Sequence, residues 1–397
     1  MHIDKLLHKV FKPASQDIDK RLHRTLLKTA ETLCDCRHLS IAGLGRCLIS
    51  STTVKHSIKR IDRLFGNRHL HHKRHRYYKN MVNLLVGENR QPVILIDWSG
   101  LSHCGEYHLL RASIPVGGRA LVIWESAYRE KEYNSQKTHR TFIRDLKALL
   151  PASSCPIIVT DAGFKCPWYQ LIREQGWEFI GRVRNRTLCR ETGEKSWLPV
   201  KGYYAKATRS ARYLFAGLLA RDNPVACHFY LYHGTKQHRV KKNLRGKRIQ
   251  SGHSLKHEKR EREPWLIVSS LATQAYTPKQ IISLYKQRMQ IEEAFRDIKN
   301  TRNGFGLRHC RSRESKRLNV ALLIGAIAML LLWIVGIIVR QQEQHYQFQA
   351  NTVRHRSVLS TFTIGWQSLT RTRHYCLDAF IRALDEIQRV AKQPCVA

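Results

Sequence analysis

Apolar positions keep different rhythms along the chain, and each rhythm predicts a different kind of element. Up to about residue ninety they recur at helical spacing. Ile18 to Leu33 is amphipathic, and "LSIAGLGRCL" (Leu39 to Leu48) leads into "STTVKHSIKRIDRLFGNRHLHHKRHR" (Ser51 to Arg76). There Ser51, Thr52 or Thr53 can cap a helix whose apolar positions are Val54, Ile58, Ile61, Leu64 and Phe65. Lys55, Lys59, Arg60 and Arg63 fill much of its other face. A short helix, a turn and a basic helix can enter a major groove as a helix-turn-helix; equally, the charges can be an ordinary solvated face.

From Gln91 the period shortens. "PVILID" (Pro92 to Asp97), "YHLLRASIP" and "RALVIWESAY" read as strands, "SQKTHRTFIRDLKALLP" as a helix ended by Pro151, and "PIIVTD" (Pro156 to Asp161) as a strand. A helix around Trp168 to Gln175 and the strand "WEFIGRVR" (Trp177 to Arg184) follow. This order suits an α/β fold, a mixed sheet with flanking helices. After Arg184 the regularity lapses. "CHFYLYH" (Cys227 to His233) alternates like a strand, the charge run Lys236 to Arg262 reads as a basic loop, and the sheet pattern resumes at "WLIVSSL" (Trp265 to Leu271). A β-rich insertion over residues 185–264 is the simplest description.

Thr277 and Pro278 open a helix that nothing interrupts before Gly304, so one helix from Pro278 to Asn300 is expected. Taking about 100° per residue, Tyr285, Arg288, Glu292 and Lys299 share one face, with Leu284, Ile291, Phe295 and Ile298 as a core stripe beside it. Glu293 lies about 100° from Glu292, so only Glu292 borders the buried stripe from the polar side. Pairing with Arg288 or Arg296 would give Glu292 a purely structural role. Further on, Val320 to Val339 is uncharged and long enough to span a bilayer. Its flanks are basic on both sides and no second span accompanies it, so it is read as the central helix of a large core, without a membrane partner.

Charge narrows the partner. The 397 residues carry 69 Lys and Arg against 30 acids, a net charge of +39, which points to nucleic-acid phosphates. The 11 cysteines are scattered, and Met1 to Ser15 lacks an apolar signal region, so reduced thiols and a cytoplasmic protein are expected. His69, His71, His72 and His75, with Cys34 and Cys36, lack the pairing of a zinc site and are read as facing phosphates. No glycine-rich nucleotide loop is present. Asp97 and Asp161 each end an apolar strand, where a ligand can reach them. With Glu292 they make three carboxylates suited to two Mg²⁺ ions, with Mn²⁺ as a substitute, in phosphoryl transfer.

Asp97 in "LIDWS", Asp161 in "VTDAGF" and the spacing Tyr285, Arg288, Glu292, Lys299 resemble the DDE triad and YREK signature of the insertion-sequence-four family of bacterial transposases. "KHSIKRIDRLFGNRHL", "DAGFKCPWY" and "FQANTVRHRSVLST" extend the resemblance over nearly the whole chain. It implies a helical DNA-binding domain at residues 1–88, a ribonuclease-H-like core at 89–340 interrupted by the insertion, and a C-terminal helical region at 341–397 for dimerisation or end contacts. It further implies cut-and-paste transposition by a DNA-bound homodimer: strand hydrolysis, hairpin formation and resolution, then strand transfer. By the same resemblance Arg288 and Lys299 hold phosphates, Tyr285 positions the backbone, and Trp265 stacks on a base displaced from the helix; as a residue alone, Trp265 can equally be a core tryptophan. The residue after the signature arginine is Met289, where some relatives carry an aromatic wedge. The alternative function is a protein that binds transposon ends without cutting them.

Overall fold

In the computed structural model, which describes residues 1–101, 106–184, 187–234, 251–252, 263–353 and 355–392, the chain up to Leu85 is built from helices. These are α1 (Ile3–Phe11), α2 (Lys20–Cys36), α3 (Ile41–Cys47), α4 (Val54–Phe65) and α5 (Arg68–Leu85). Asp19, Ser40 and Asn67 each accept a first-turn backbone N–H, which fixes the starts of α2, α3 and α5. Thr53 precedes α4, but its hydroxyl bonds the His56 ring at 2.9 Å rather than the backbone. Gly45 lets α3 and α4 approach closely: a Cβ there would stand 2.5 Å from the Ile58 Cα. One expected core position fails, because Val54 is 54% exposed while Ile61, Leu64 and Phe65 are buried. As the first residue of α4 it precedes the turn that packs.

The chain divides into two compact units, one formed by residues 1–156 and the described residues from Gln287 onward, the other by residues 157–286. In the first unit the helices are followed by the antiparallel strands β1 (Val93–Gly100), β2 (Tyr107–Pro115) and β3 (Ala120–Arg129), then α6 (Gln136–Leu149), capped by Ser135. β2 and β3 are joined by Gly117 and Gly118, at φ +83° and +95°, and the Val116 N–H closes the turn on the Arg119 carbonyl at 2.8 Å. Two successive left-handed residues are what a two-residue hairpin of this twist requires, and glycine adopts them without strain.

The second unit begins with β4 (Ile157–Thr160), α7 (Cys166–Glu174) and β5 (Glu178–Val183), with β4 and β5 parallel. Three strands then occupy a stretch whose sequence shows no clear period: β6 (Leu188–Glu191), β7 (Leu198–Pro199) and β8 (Arg212–Leu219). β9 (Val225–Tyr232) and β10 (Trp265–Ser269) complete a mixed sheet in the order β4-β5-β10-β9-β8-β6-β7. β10 lies antiparallel to both β5 and β9, so β6 to β9 extend the same sheet on its far side. The expected basic loop, Lys236 to Arg262, lies outside the described residues apart from 251–252.

The expected single helix is two. α8 (Pro278–Lys286) closes the second unit, and α9 (Met289–Lys299) begins after Gln287 and Arg288, in the first. Here the backbone tightens: Gln290 and Ile291 donate to carbonyls three residues back, at 2.9 and 3.2 Å. Gln287 is buried and Arg288 turns to two carboxylates, pulls that no helical propensity encodes.

α10 (Ser315–Gln341), α11 (Thr361–Leu369) and α12 (Leu377–Lys392) complete the first unit. α10 contains the long apolar run and is its core helix, packed by α2, α5, β3, α11 and α12. Of its most apolar 18-residue window 94% is buried by protein. At Gly365 a Cβ would stand 1.9 Å from the Leu332 carbonyl, so α10 and α11 meet backbone to backbone. Asn319 gives α10 a polar anchor, accepting the buried Ala127 N–H of β3 at 2.7 Å. The N-terminal helices thus share one compact unit with α10 to α12.

Candidate active site

Ile94, Leu95 and Ile96 are completely buried, and Asp97 follows them within β1, 9% exposed. Its Oδ1 accepts the Trp98 N–H at 2.8 Å. Its Oδ2 lies 3.6 Å from Nη1 of Arg288, and Oε1 of Glu292 lies 2.6 Å from that same nitrogen. The two carboxylates therefore face one cationic atom, which places their oxygens no more than about 6 Å apart. Arg288 also reaches the sulfur of Met289, with Nη2 to Sδ at 3.2 Å.

α9 separates its acids by face. Ile291, Phe295 and Ile298 are buried, and Glu292 borders them. Glu293 is turned to Arg296 at 2.6 Å and to Arg119 at 4.0 Å, away from Asp97. Asp297 is 7% exposed and receives Arg119 Nε at 2.5 Å. Lys299, at the end of the helix, donates to Ser99 Oγ at 2.6 Å and to the Gly100 carbonyl at 3.4 Å. Burial first, then the charges of Arg308 and Arg111, lower its pKa to about 8, against the opposing pull of Asp97.

Behind Asp97 lies a buried ion pair that the sequence reading missed. Arg111 is the register neighbour of Asp97 on β2, and Glu125 is the neighbour of Arg111 on β3. Arg111 is 1% exposed and Glu125 fully buried; Arg111 Nη2 and Nε reach one Glu125 oxygen at 2.7 and 2.8 Å. Tyr78 donates to the other oxygen at 3.1 Å, and the Arg111 guanidinium lies 5.0 Å from the Phe295 ring centre. Its only sequence signal was two opposite charges inside apolar strands.

In the second unit Asp161 follows β4, and its Oδ1 accepts the Gly163 N–H at 2.8 Å, which shapes the turn after the strand. Tyr285 is 4% exposed and meets Trp265 edge to face at 5.2 Å. Tyr232 stands 5.8 Å from Trp265 on the other strand, and the Arg182 guanidinium 5.7 Å from the Trp265 ring. Burial, then Arg184, lowers the Arg182 pKa to about 10. Trp265 is half-buried on an aromatic and cationic cluster.

Lys55, Lys59, Arg60 and Arg63 are all exposed on α4. Lys59 pairs with Asp62 at 3.3 Å, and Asp62 is held at 2.6 Å by Arg317 of the core helix, so α4 presents its basic face from a fixed base. Among the described residues no group of three or more His, Cys, Asp or Glu side chains is gathered to hold a metal, the histidine-rich stretch of α5 included. Asp97 and Glu292 nonetheless suit a hard divalent cation: two carboxylate oxygens already converge on one positive centre, and Glu292 is exposed enough to move.

Residues 88–331, more than half of the chain, match the family model described as the transposase DDE domain. No curated protein matches the chain.

Proposed function

Because the chain belongs to the DDE transposases, metal-dependent enzymes of DNA phosphoryl transfer, we propose that it performs cut-and-paste transposition with Asp97, Asp161 and Glu292 as its metal-holding triad. The observation that carries this reading is the convergence of Asp97 Oδ2 and Glu292 Oε1 on Nη1 of Arg288. A guanidinium between two carboxylates offsets part of their charge until the metal and a DNA phosphate arrive together. Arg288 is then free to turn to the phosphate, which it can hold with two parallel N–H groups. Mg²⁺ held there supplies a Lewis acid for the attacking and leaving oxygens.

The reading places the chain in the insertion-sequence-four group with the YREK signature, similar to the transposase of the tetracycline-resistance composite transposon, with a ribonuclease-H-like core. Water cleaves one strand at the element end and leaves a 3′-hydroxyl. That hydroxyl attacks the opposite strand, forming a hairpin and releasing the flanking DNA. Hydrolysis of the hairpin restores the 3′-hydroxyl, which then joins target DNA. Lys299 holds a phosphate near the cut, Tyr285 positions the backbone, Trp265 stacks on the displaced base, and Met289 fills the step it leaves. The basic face of α4, Lys55, Lys59, Arg60 and Arg63, holds the end DNA, and two copies act on two ends in the cytoplasm without a membrane. The test is incubation of the purified chain with DNA carrying the element's ends: Mg²⁺-dependent nicks followed by hairpins support the reading. Binding without nicks at any Mg²⁺ or Mn²⁺ concentration would make it a non-cutting end-binding protein.

A further inference from the structure

α9 carries two working faces. Arg288, Glu292 and Lys299 form one; Gln290, Glu293 and Asp297, at intervals of three and four residues, form the other, with Asp297 about 140° round from Glu292. The second face meets the β2–β3 hairpin. Gln290 Oε1 accepts two backbone N–H groups from that turn, Val116 at 3.2 Å and Gly118 at 3.1 Å. About two turns along, Asp297 takes Arg119 on both its oxygens, Nε at 2.5 Å and Nη2 at 3.5 Å. The two contacts lie seven residues apart on α9 and only a few residues apart on a hairpin that glycines make tight. Together they fix both the rotation and the axial position of the helix relative to the strands.

We propose that Gln290, Asp297 and Arg119 are positioning residues that lock α9 to the β2–β3 hairpin and so hold Glu292 opposite Asp97 at metal-binding range. This rests on the reading of Asp97 and Glu292 as metal ligands. A rotation of α9 by 20° would carry the Glu292 carboxylate about 2 Å sideways, enough to spoil a two-ligand grip. Core packing alone is a weak brake on so small a rotation, because Ile291, Phe295 and Ile298 are adaptable apolar contacts, whereas paired backbone N–H groups and a two-oxygen ion pair have narrow geometry. Lys299 holds the far end through Ser99, but it belongs to the catalytic face and leaves it when it takes a phosphate.

The test compares Asp297→Asn, Arg119→Gln, Gln290→Leu and the conservative Arg119→Lys in the full chain. Four measurements are made: Mn²⁺ affinity by electron paramagnetic resonance, half-saturating Mg²⁺ for nicking, end-DNA affinity, and thermal midpoint. Asp297→Asn, Arg119→Gln and Gln290→Leu are expected to weaken Mn²⁺ binding and raise half-saturating Mg²⁺ by about tenfold or more, with end-DNA affinity changed less than about twofold. Arg119→Lys, which keeps one charged contact, should recover most of the loss seen in Arg119→Gln. Lowered thermal midpoints with Mn²⁺ affinity and Mg²⁺ dependence unchanged would make these contacts merely structural and overturn the lock. Glu292→Gln separates the two readings. If it abolishes cutting while the lock variants behave as wild type, the lock alone is wrong; if it cuts as wild type, the ligand reading fails and the lock with it.

Discussion

Replacing Lys299 by methionine should make the folded protein more stable at neutral pH and worse at holding DNA. The ammonium group sits at the end of α9 with Arg308 and Arg111 nearby, and its pKa falls from the ordinary 10.5 to about 8, burial being the largest cause. Keeping the proton below pH 8 costs up to about 3 kcal/mol, or about 2 kcal/mol once solvent at its rim is allowed for. Methionine removes that cost and loses the hydrogen bond to Ser99, worth about 1 kcal/mol, so a net gain of about 1 kcal/mol remains at pH 7. At about 2.1 cal/mol/K of unfolding entropy per residue, that is a rise in thermal midpoint of about 1 °C for a protein of this size.

The sign reverses in alkali. A basic group whose folded pKa is depressed binds its proton more weakly in the folded than in the unfolded state, so wild-type stability rises with pH between about 8 and 10.5. By pH 10 most of the cost has gone, only the lost hydrogen bond separates the two proteins, and the variant should be the less stable. Scanning calorimetry of both proteins at pH 7 and pH 10, with chelator and without DNA, reads this directly. A variant less stable at pH 7, or equally stabilised at both, would refute the placement of Lys299 as a half-buried cation whose charge opposes folding. In DNA-binding assays the wild type should lose affinity as pH rises through 8 to 9, and the methionine variant should start weaker and show no such step.

Glu292→Gln should bind end DNA within about twofold of wild type and lose nicking by about a thousandfold or more, whereas Glu293→Gln should cut within about threefold of wild type; equal loss in both, in a single-turnover gel assay, would sink the division of faces on α9. Trp265→Ala should leave first-strand nicking intact and lower hairpin yield about tenfold, and an unchanged yield would return Trp265 to a packing role. Glu125→Leu strands Arg111 as a buried charge and should cost about 3–5 kcal/mol in urea unfolding, while Arg111→Met with Glu125→Leu should be close to neutral. A double variant as unstable as the single would show that the pair itself holds the strands together.

What the sequence could reveal followed the range of the interactions involved. Asp97 and Asp161 were visible because a short apolar run ending on a carboxylate is a local pattern; Asp161 does follow the end of β4, whereas β1 runs on past Asp97 to Gly100, paired with β2 throughout. The face of Glu292 was visible because helical phase is local too, and it survives the interruption at Gln287 and Arg288 because α9 restarts before Glu292. The interruption itself was not visible: no glycine or proline marks it, and its cause is Arg288 reaching across to Asp97, 191 positions earlier. β6 and β7 escaped because they are short and largely unburied, so burial never imposed alternation on them. Asp297 was set aside as an acidic neighbour for the same reason, since its partner Arg119 lies 178 residues away and looks from sequence like any loop cation. The apolar run of α10 shows the limit from the other side. Composition made it equally fit for lipid or for a core, and only the helices and strand that cover it decide between them. Local chemistry therefore names the groups that could react, and distant partners determine which of them are held where reaction is feasible. For α9 that division falls within a single helix: its proposed catalytic face is written in spacing, and the face proposed to aim it is written in a hairpin nearly two hundred residues before it.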